Sequence, residues 1–229
     1  MPTALIVGAS RGLGLAIAAE LLAREWDVIG TVRDDARTGL HDLVDGHPGQ
    51  AAVETLDMTR PDQIAALRER LAGRTLDLLF VNAGTTTRDP LARVGDVGAD
   101  EFTQVMITNA YSPMRVIEAL QDLVPADGLI GAMSSGQGSI TNNEAGTREV
   151  YRASKAALNM FMRSFAARPE QQARSTLLMA PGWIRTDLGG DLAPYTVEES
   201  APMLTDLLLS SRGMPGLRYL DRFGKHVPW

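Results

Sequence analysis

Apolar residues follow two rhythms along this chain. Short unbroken runs alternate with longer stretches in which apolar positions recur every three or four residues. An unbroken run is what a parallel strand covered on both faces requires, and the slower recurrence is what a helix with one buried stripe requires. The first run is Ala4–Val7, closed by Gly8. Trp26–Val32, Ala51–Leu56, Leu76–Asn82, Leu129–Met133 and Ser175–Ala180 follow, and Gly216–Leu220 reads as a last strand. Between them, the periodicity predicts helices over Leu13–Arg24, Pro61–Leu71, Asp100–Ala110, Ser112–Leu123, Val150–Ala167 and Val197–Ser210, the last starting near Thr196 or Glu198. Strand and helix in alternation predict an α/β fold with a doubly wound parallel sheet. With no composition shift, repeat or low-complexity segment, residues 1–229 are expected to form a single domain.

Composition narrows the function classes. The chain has 229 residues, enough for one well-buried core, and its 45% hydrophobic and 22% charged residues are globular values that speak against disorder. A net charge of −6 argues against nucleic acid or an anionic membrane as partner. There is no cysteine, which excludes disulfides and thiol catalysis and is compatible with a reducing cytosol. Met1–Gly8 lacks a basic, long apolar leader, and no stretch approaches the length of a membrane span, so a cytoplasmic location is expected. The three histidines, His41, His47 and His226, are scattered, and no metal site is expected.

The chemistry concentrates at strand ends. Gly8-Ala9-Ser10-Arg11-Gly12-Leu13-Gly14 joins the first strand to the first helix. In a Rossmann-type sheet this turn holds a pyrophosphate against a helix N-terminus, with glycines letting the backbone approach. The spacing is G-x-x-x-G-x-G, and a glycine-rich turn without nucleotide is the bland alternative. Arg33 ends the second strand, where an arginine suits a ribose 2′-phosphate; Asp34 beside it makes the signal mixed, and a solvated strand-end arginine is the alternative. With Arg11 in the loop, two arginines favour NADP(H) over NAD(H). The fourth strand ends in Asn82-Ala83-Gly84, small enough to let a ligand lie close to the backbone or simply a turn.

Tyr151 and Lys155 lie four residues apart on a predicted helix, hence on one face. A free phenol titrates near ~10, and an adjacent ammonium favours the phenolate, so Lys155 is expected to bring Tyr151 into the range of a usable acid. A half-buried ring beside a solvated charge is the bland reading of the same spacing.

Together, Gly8-x-x-x-Gly12-x-Gly14, Asn82-Ala83-Gly84, Ser135, Tyr151-x-x-x-Lys155 and Pro181-Gly182 resemble the short-chain dehydrogenase/reductase family in order and spacing. The phrases Met133–Ile140, Tyr151–Asn159, Pro181–Asp187 and Val227–Trp229 resemble its C-factor-like and sniffer-like carbonyl reductase branch. The resemblance implies Tyr151 as general acid/base, Lys155 as its electrostatic tuner and ribose ligand, and Ser135 as hydrogen-bond donor to a substrate carbonyl. It implies Asn109 as support for a proton relay, and Gly8, Ser10, Arg11, Gly12, Leu13 and Gly14 as the phosphate loop. Arg33, Asp57 and Met58 are expected on the adenosine side, Asn82, Ala83 and Gly84 at mid-cofactor, and Pro181, Gly182, Ile184 and Thr186 near the carboxamide. The implied activity is reversible hydride transfer between NADPH and a ketone, aldehyde or quinone; the competing class is a non-catalytic NAD(P)-binding sensor or signalling protein.

Three departures from the family pattern stand out. Val7 replaces a common Thr, which removes a supporting hydrogen bond. Ser134 and Ser135 are adjacent, and only register with the following Gly-x-Gly selects Ser135. The stretch from Ser135 to Tyr151 is long. Thr85–Thr87, Ser139–Asn143 and Gly189–Tyr195 are expected around the pocket, and Leu188–Pro194 is a lid or a plain surface loop. Met160, Phe161, Met162 and Phe165 are expected in the core. Relatives in this family pair into homodimers or homotetramers, and others of the branch are monomeric, so the oligomeric state stays open.

Overall fold

The computed structural model describes residues 1–229. Seven parallel strands form one sheet: β1 (Thr3–Val7), β2 (Asp27–Val32), β3 (Ala51–Thr55), β4 (Leu78–Val81), β5 (Leu129–Met133), β6 (Ser175–Ala180) and β7 (Gly216–Asp221). Their order is β3-β2-β1-β4-β5-β6-β7, so the chain reverses direction across the sheet between β1 and β4. Ligands of open α/β sheets bind at such a switch point, outside the strand C-termini. The predicted α/β, Rossmann-type fold is the one observed.

Period-2 alternation explains how one apolar run serves two faces. In β1, Leu5 and Val7 join one core cluster while Ala4 and Ile6 join the other. Helices α3 (Pro61–Arg70), α5 (Ser112–Leu120) and α6 (Glu149–Ala166) cover the first face through Ile64, Ile117 and Met162. Helices α1 (Gly12–Ala23), α2 (Gly39–Asp45) and α7 (Val197–Ser210) cover the second through Ile17, Leu40 and Leu204. The clusters hold 25 and 22 buried residues, so neither face is left to solvent. Thr196 caps α7: its hydroxyl accepts from Glu199 N–H, and Glu199 accepts from Thr196 N–H in return.

Four features differ from the sequence reading. Helix α2 had no apolar period to betray it, since Leu40 is its one buried residue. The two helices expected over Asp100–Leu123 are one continuous rod: α4 (Ala99–Met106) runs through a π-helical segment, Ile107–Tyr111, into α5. Of the four α6 residues expected inside, Met162 and Phe165 are buried, but Met160 and Phe161 face outward. Ser139–Asn142 lies against the last residues, with Thr141 N–H and hydroxyl both donating to the Trp229 carbonyl. No helix is long and apolar enough to cross a membrane.

Candidate active site

The glycine loop is locked from below before anything binds above it. Gly8 has φ +86°, and a Cβ there would stand 2.7 Å from the Ala83 Cβ, so this position demands glycine. Gly14 sits under the loop, where a Cβ would strike the Gly8 carbonyl and stand 2.6 Å from Asn82 Nδ2. Asn82 Nδ2 donates to Gly8 O at 2.8 Å, tying the end of β4 to the loop. Gly8 N–H donates to Thr31 Oγ1 at 2.9 Å. The hydroxyl that Val7 lacks is thus supplied by β2 instead, which the sequence reading did not anticipate.

These elements form one wall of a continuous cleft of about 1320 Å³ along the C-terminal edge of the sheet. Gly8, Ser10, Arg11, Gly12 and Leu13 line its middle, and Arg33, Asp57 and Met58 line one end. Asn82, Ala83 and Gly84 form the floor. Ser135, Tyr151 and Lys155 line the other end, facing Pro181, Gly182, Ile184 and Thr186. Two predicted site residues are not in its wall. Gly14 is packing beneath the loop, and Asn109 is fully buried behind the floor. Of the loops expected around the pocket, Thr85, Thr86, Leu188 and Gly189 line it, whereas Thr87, Ser139–Asn143 and residues 190–195 do not. Trp183, Arg148 and Gln137 also line the cleft and were not singled out from the sequence; a polar residue three positions before Tyr151 was the available signal for Arg148.

Charge is distributed along this cleft. Arg33 is mostly exposed, 3.9 Å from the Asp34 carboxylate, and Arg11 pairs with Asp187 at 3.0 Å across the cleft mouth. Asp57 Oδ1 accepts from Thr59 N–H (2.9 Å) and Thr59 Oγ1 (2.7 Å), which fixes the turn after β3.

Helix α6 presents Tyr151, Ser154, Lys155 and Asn159 on its buried face. Lys155 Nζ donates to Met133 O at 2.8 Å and lies 5.9 Å from the Tyr151 ring centre. Asn109 accepts from Thr85 N–H (2.7 Å) and donates to Thr85 O (2.8 Å) and Ser154 Oγ (2.9 Å), so the π segment clamps the strand β4 exit to α6. Ser134 and Ser135 divide their work: Ser134 Oγ donates to Asn159 Oδ1 at 2.6 Å inside the core, while Ser135 lines the cleft beside Tyr151. The Tyr219 hydroxyl donates to the Ser135 carbonyl.

One expectation is reversed. Burial pushes the Tyr151 phenol up, opposed by the Ser135 hydroxyl and by the positive charge of Arg148. Lys155 itself is lowered from 10.5 to about 8 by burial. Both groups sit where neither ion is well solvated, so desolvation outweighs their mutual attraction.

The residues fit a dinucleotide. The loop is cleared of side chains where a pyrophosphate needs backbone contact, the Arg33 guanidinium stands at one end, and an ionisable phenol and amine stand at the other. Comparison with known proteins agrees. A family model, short chain dehydrogenase, matches residues 2–195. A solved structure from Burkholderia multivorans, assigned to the short-chain dehydrogenase/reductases and carrying bound NADP, is 60% identical with a TM-score of 0.97, covering 100% of this chain and 99% of that one. A carbonyl reductase from Pseudomonas aeruginosa PAO1 in complex with NADP is 36% identical with a TM-score of 0.91, each chain covered over 100%. C-signal of Myxococcus xanthus is 31% identical over 156 residues, 67% of this chain and 93% of its own. The branch resemblance drawn from the motifs is matched by these likenesses.

Proposed function

This chain belongs to the short-chain dehydrogenase family of oxidoreductases, and we propose that it is an NADPH-dependent carbonyl reductase. The observation that carries the proposal is the single cleft joining Arg33 and the glycine loop to Ser135, Tyr151 and Lys155. The likenesses to the NADP-bound protein and the carbonyl reductase support it.

In this reading the glycine loop holds the pyrophosphate, Arg33 and Arg11 hold the 2′-phosphate, and Asp57 and Met58 face the adenine. Lys155 holds the nicotinamide ribose, while Ile184 and Thr186 hold the carboxamide. When bound, NADPH supplies a hydride to the carbonyl carbon. Ser135 donates a hydrogen bond to the carbonyl oxygen and polarises it. Tyr151 gives its phenolic proton to that oxygen as negative charge develops there. A phenol pushed up by burial is protonated at neutral pH, the form an acid needs at the outset. The Lys155 ammonium then stabilises the phenolate left behind.

A second reading, a nucleotide-binding signalling protein, draws on the likeness to C-signal. Following NADPH oxidation against ketones, aldehydes and quinones separates the two. The expected outcome is turnover by the parent and a loss of about 100- to 10,000-fold in Tyr151→Phe with NADPH binding retained. Substantial reduction by Tyr151→Phe would overturn the mechanism, and nucleotide binding without turnover on any carbonyl would favour the signalling role.

A further inference from the structure

Arg148 ends the long segment between Ser135 and Tyr151, and no acceptor in the chain pairs with its guanidinium. Its Nε and Nη2 are sealed from solvent and have no hydrogen-bond partner. Four other arginines, Arg174, Arg212, Arg218 and Arg222, also have a sealed unpartnered nitrogen. Each of those four still gives another guanidinium nitrogen to an acceptor, whereas Arg148 gives none. No ion pair joins it to its neighbour Glu149, whose carboxylate accepts from Val94 N–H at 2.9 Å. The guanidinium stands over the Tyr151 ring, 5.1 Å from its centre. That contact satisfies the ring face but leaves the N–H donors unpaired, and buried donors without acceptors are costly enough to call for an explanation. The backbone adds a second oddity. Arg148 occupies the left-handed region, φ 58° and ψ 43°, at the start of α6. Non-glycine residues are held there mainly where placement of the side chain matters.

Two more orphans lie in the same cleft. Thr86 Oγ1 and Gln137 Oε1 are buried without partners, and both residues line it, as Arg148 does. Nε and Nη2 form the edge of the guanidinium that meets both oxygens of a carboxylate at once. A ligand in the cleft meets this side chain in the same place as it meets Tyr151.

We propose that the carbonyl substrate carries a carboxylate, held by the Arg148 guanidinium while its carbonyl faces Ser135 and Tyr151. The proposal rests on the reductase reading above. Because Arg148 stacks on the very ring whose hydroxyl serves the carbonyl, the two groups of the substrate lie within a few bonds of each other, as in a short-chain oxoacid.

The test uses NADPH and matched series of short 2-, 3- and 4-oxoacids, their methyl esters and the corresponding oxophosphonates, with parent protein, Arg148→Met and Arg148→Lys. The expected result is that the best oxoacid exceeds its ester in kcat/KM, and that Arg148→Met lowers the acid by about 30- to 1,000-fold more than it lowers the ester. Arg148→Lys should recover part of the acid activity, and thermal melting with NADP titration checks that each variant is folded and loaded. Esters reduced as well as acids by the parent, or an acid preference untouched in Arg148→Met, would overturn this assignment and leave the reductase reading standing. Oxophosphonates preferred over oxoacids would overturn the carboxylate in favour of a tetrahedral anion. A parent protein that binds NADPH and reduces no carbonyl of any series would overturn the reductase reading itself.

Discussion

Lys155 carries a free-energy penalty that pH can expose. Lys155 is 3% exposed, its ammonium donates to one carbonyl, and burial alone lowers it from 10.5 to about 8. At neutral pH both the folded and unfolded chains hold this proton, and the folded chain bears the full desolvation cost, about 3 kcal/mol. From about pH 8 upward the folded chain releases the proton while the unfolded chain keeps it until about pH 10.5. The unfolded state then binds more protons, so stability rises with pH across that window and stops rising above it. Lys155→Met removes the titration while filling similar space. It also removes the donor to Met133 O, so the offset between parent and variant at one pH mixes two effects, and the slope is the informative quantity. Urea unfolding of both proteins without nucleotide, from about pH 7 to about pH 9.5, gives that slope. The parent should gain about 2 kcal/mol relative to the variant over this range. Taking the difference removes the carboxylates common to both proteins, and the range stops below the point where Tyr151 and Tyr219, which burial pushes up, begin to lower stability. A flat difference would refute the reasoning: Lys155 would then be as well solvated, or as well paired, in the folded chain as in the unfolded one.

Two further outcomes follow from the geometry. Gly14→Ala places a methyl against the Gly8 carbonyl and Asn82 Nδ2, so the glycine loop must lift; about 1–3 kcal/mol of stability and most NADP affinity should be lost, and an unchanged Kd by fluorescence titration would contradict the locked-loop picture. Arg33→Ala removes an exposed charge at the end of the cleft; the Kd for NADP should rise about 10- to 100-fold with that for NAD little changed, and an equal change for both would remove Arg33 from 2′-phosphate recognition.

The middle of the sheet was legible because parallel strands buried on both faces have no choice but to be apolar, as β1, β4 and β5 are, whereas the edge strands β3 and β7 are only partly buried. What escaped had a physical reason too. Helix α2 is seven residues long and held by a capping pair in which Thr38 N–H donates to His41 Nδ1, rather than by the familiar Thr and Glu. The join at Ile107–Tyr111 escaped because Ser112-Pro113 reads as a helix start, while the π segment simply accommodates that proline inside a longer rod. In the site, the cleft residues carried by motif order, from the glycine loop to Thr186, came together. Arg148 and Thr31 were invisible to the motif, because each matters through a contact across the fold rather than through spacing along it. The pKa direction of Tyr151 was also out of reach. Spacing gives the neighbour, but burial decides the sign.

Helix α6 explains why the Tyr-x-x-x-Lys spacing could be read either as chemistry or as core. Its inward stripe is one continuous face: Tyr151, Ser154, Lys155 and Asn159 in the first half, Leu158, Met162 and Phe165 in the second. The second half packs against the apolar face of the sheet, and that packing is what fixes the position of the first. The polar half would otherwise be an unstable arrangement, with an amine and several polar side chains removed from water. It persists because nearly every polar group is met from a different element: Met133 O from β5, Asn109 from the π segment, Ser134 and Gly138 from the loop after β5. The apolar end of one stripe thus supports the strained end, and the free energy withheld at Lys155 is the measure of how far that support reaches. Arg148, two turns before Lys155 and half-buried with no acceptor, is the place where the same helix runs out of partners within its own chain.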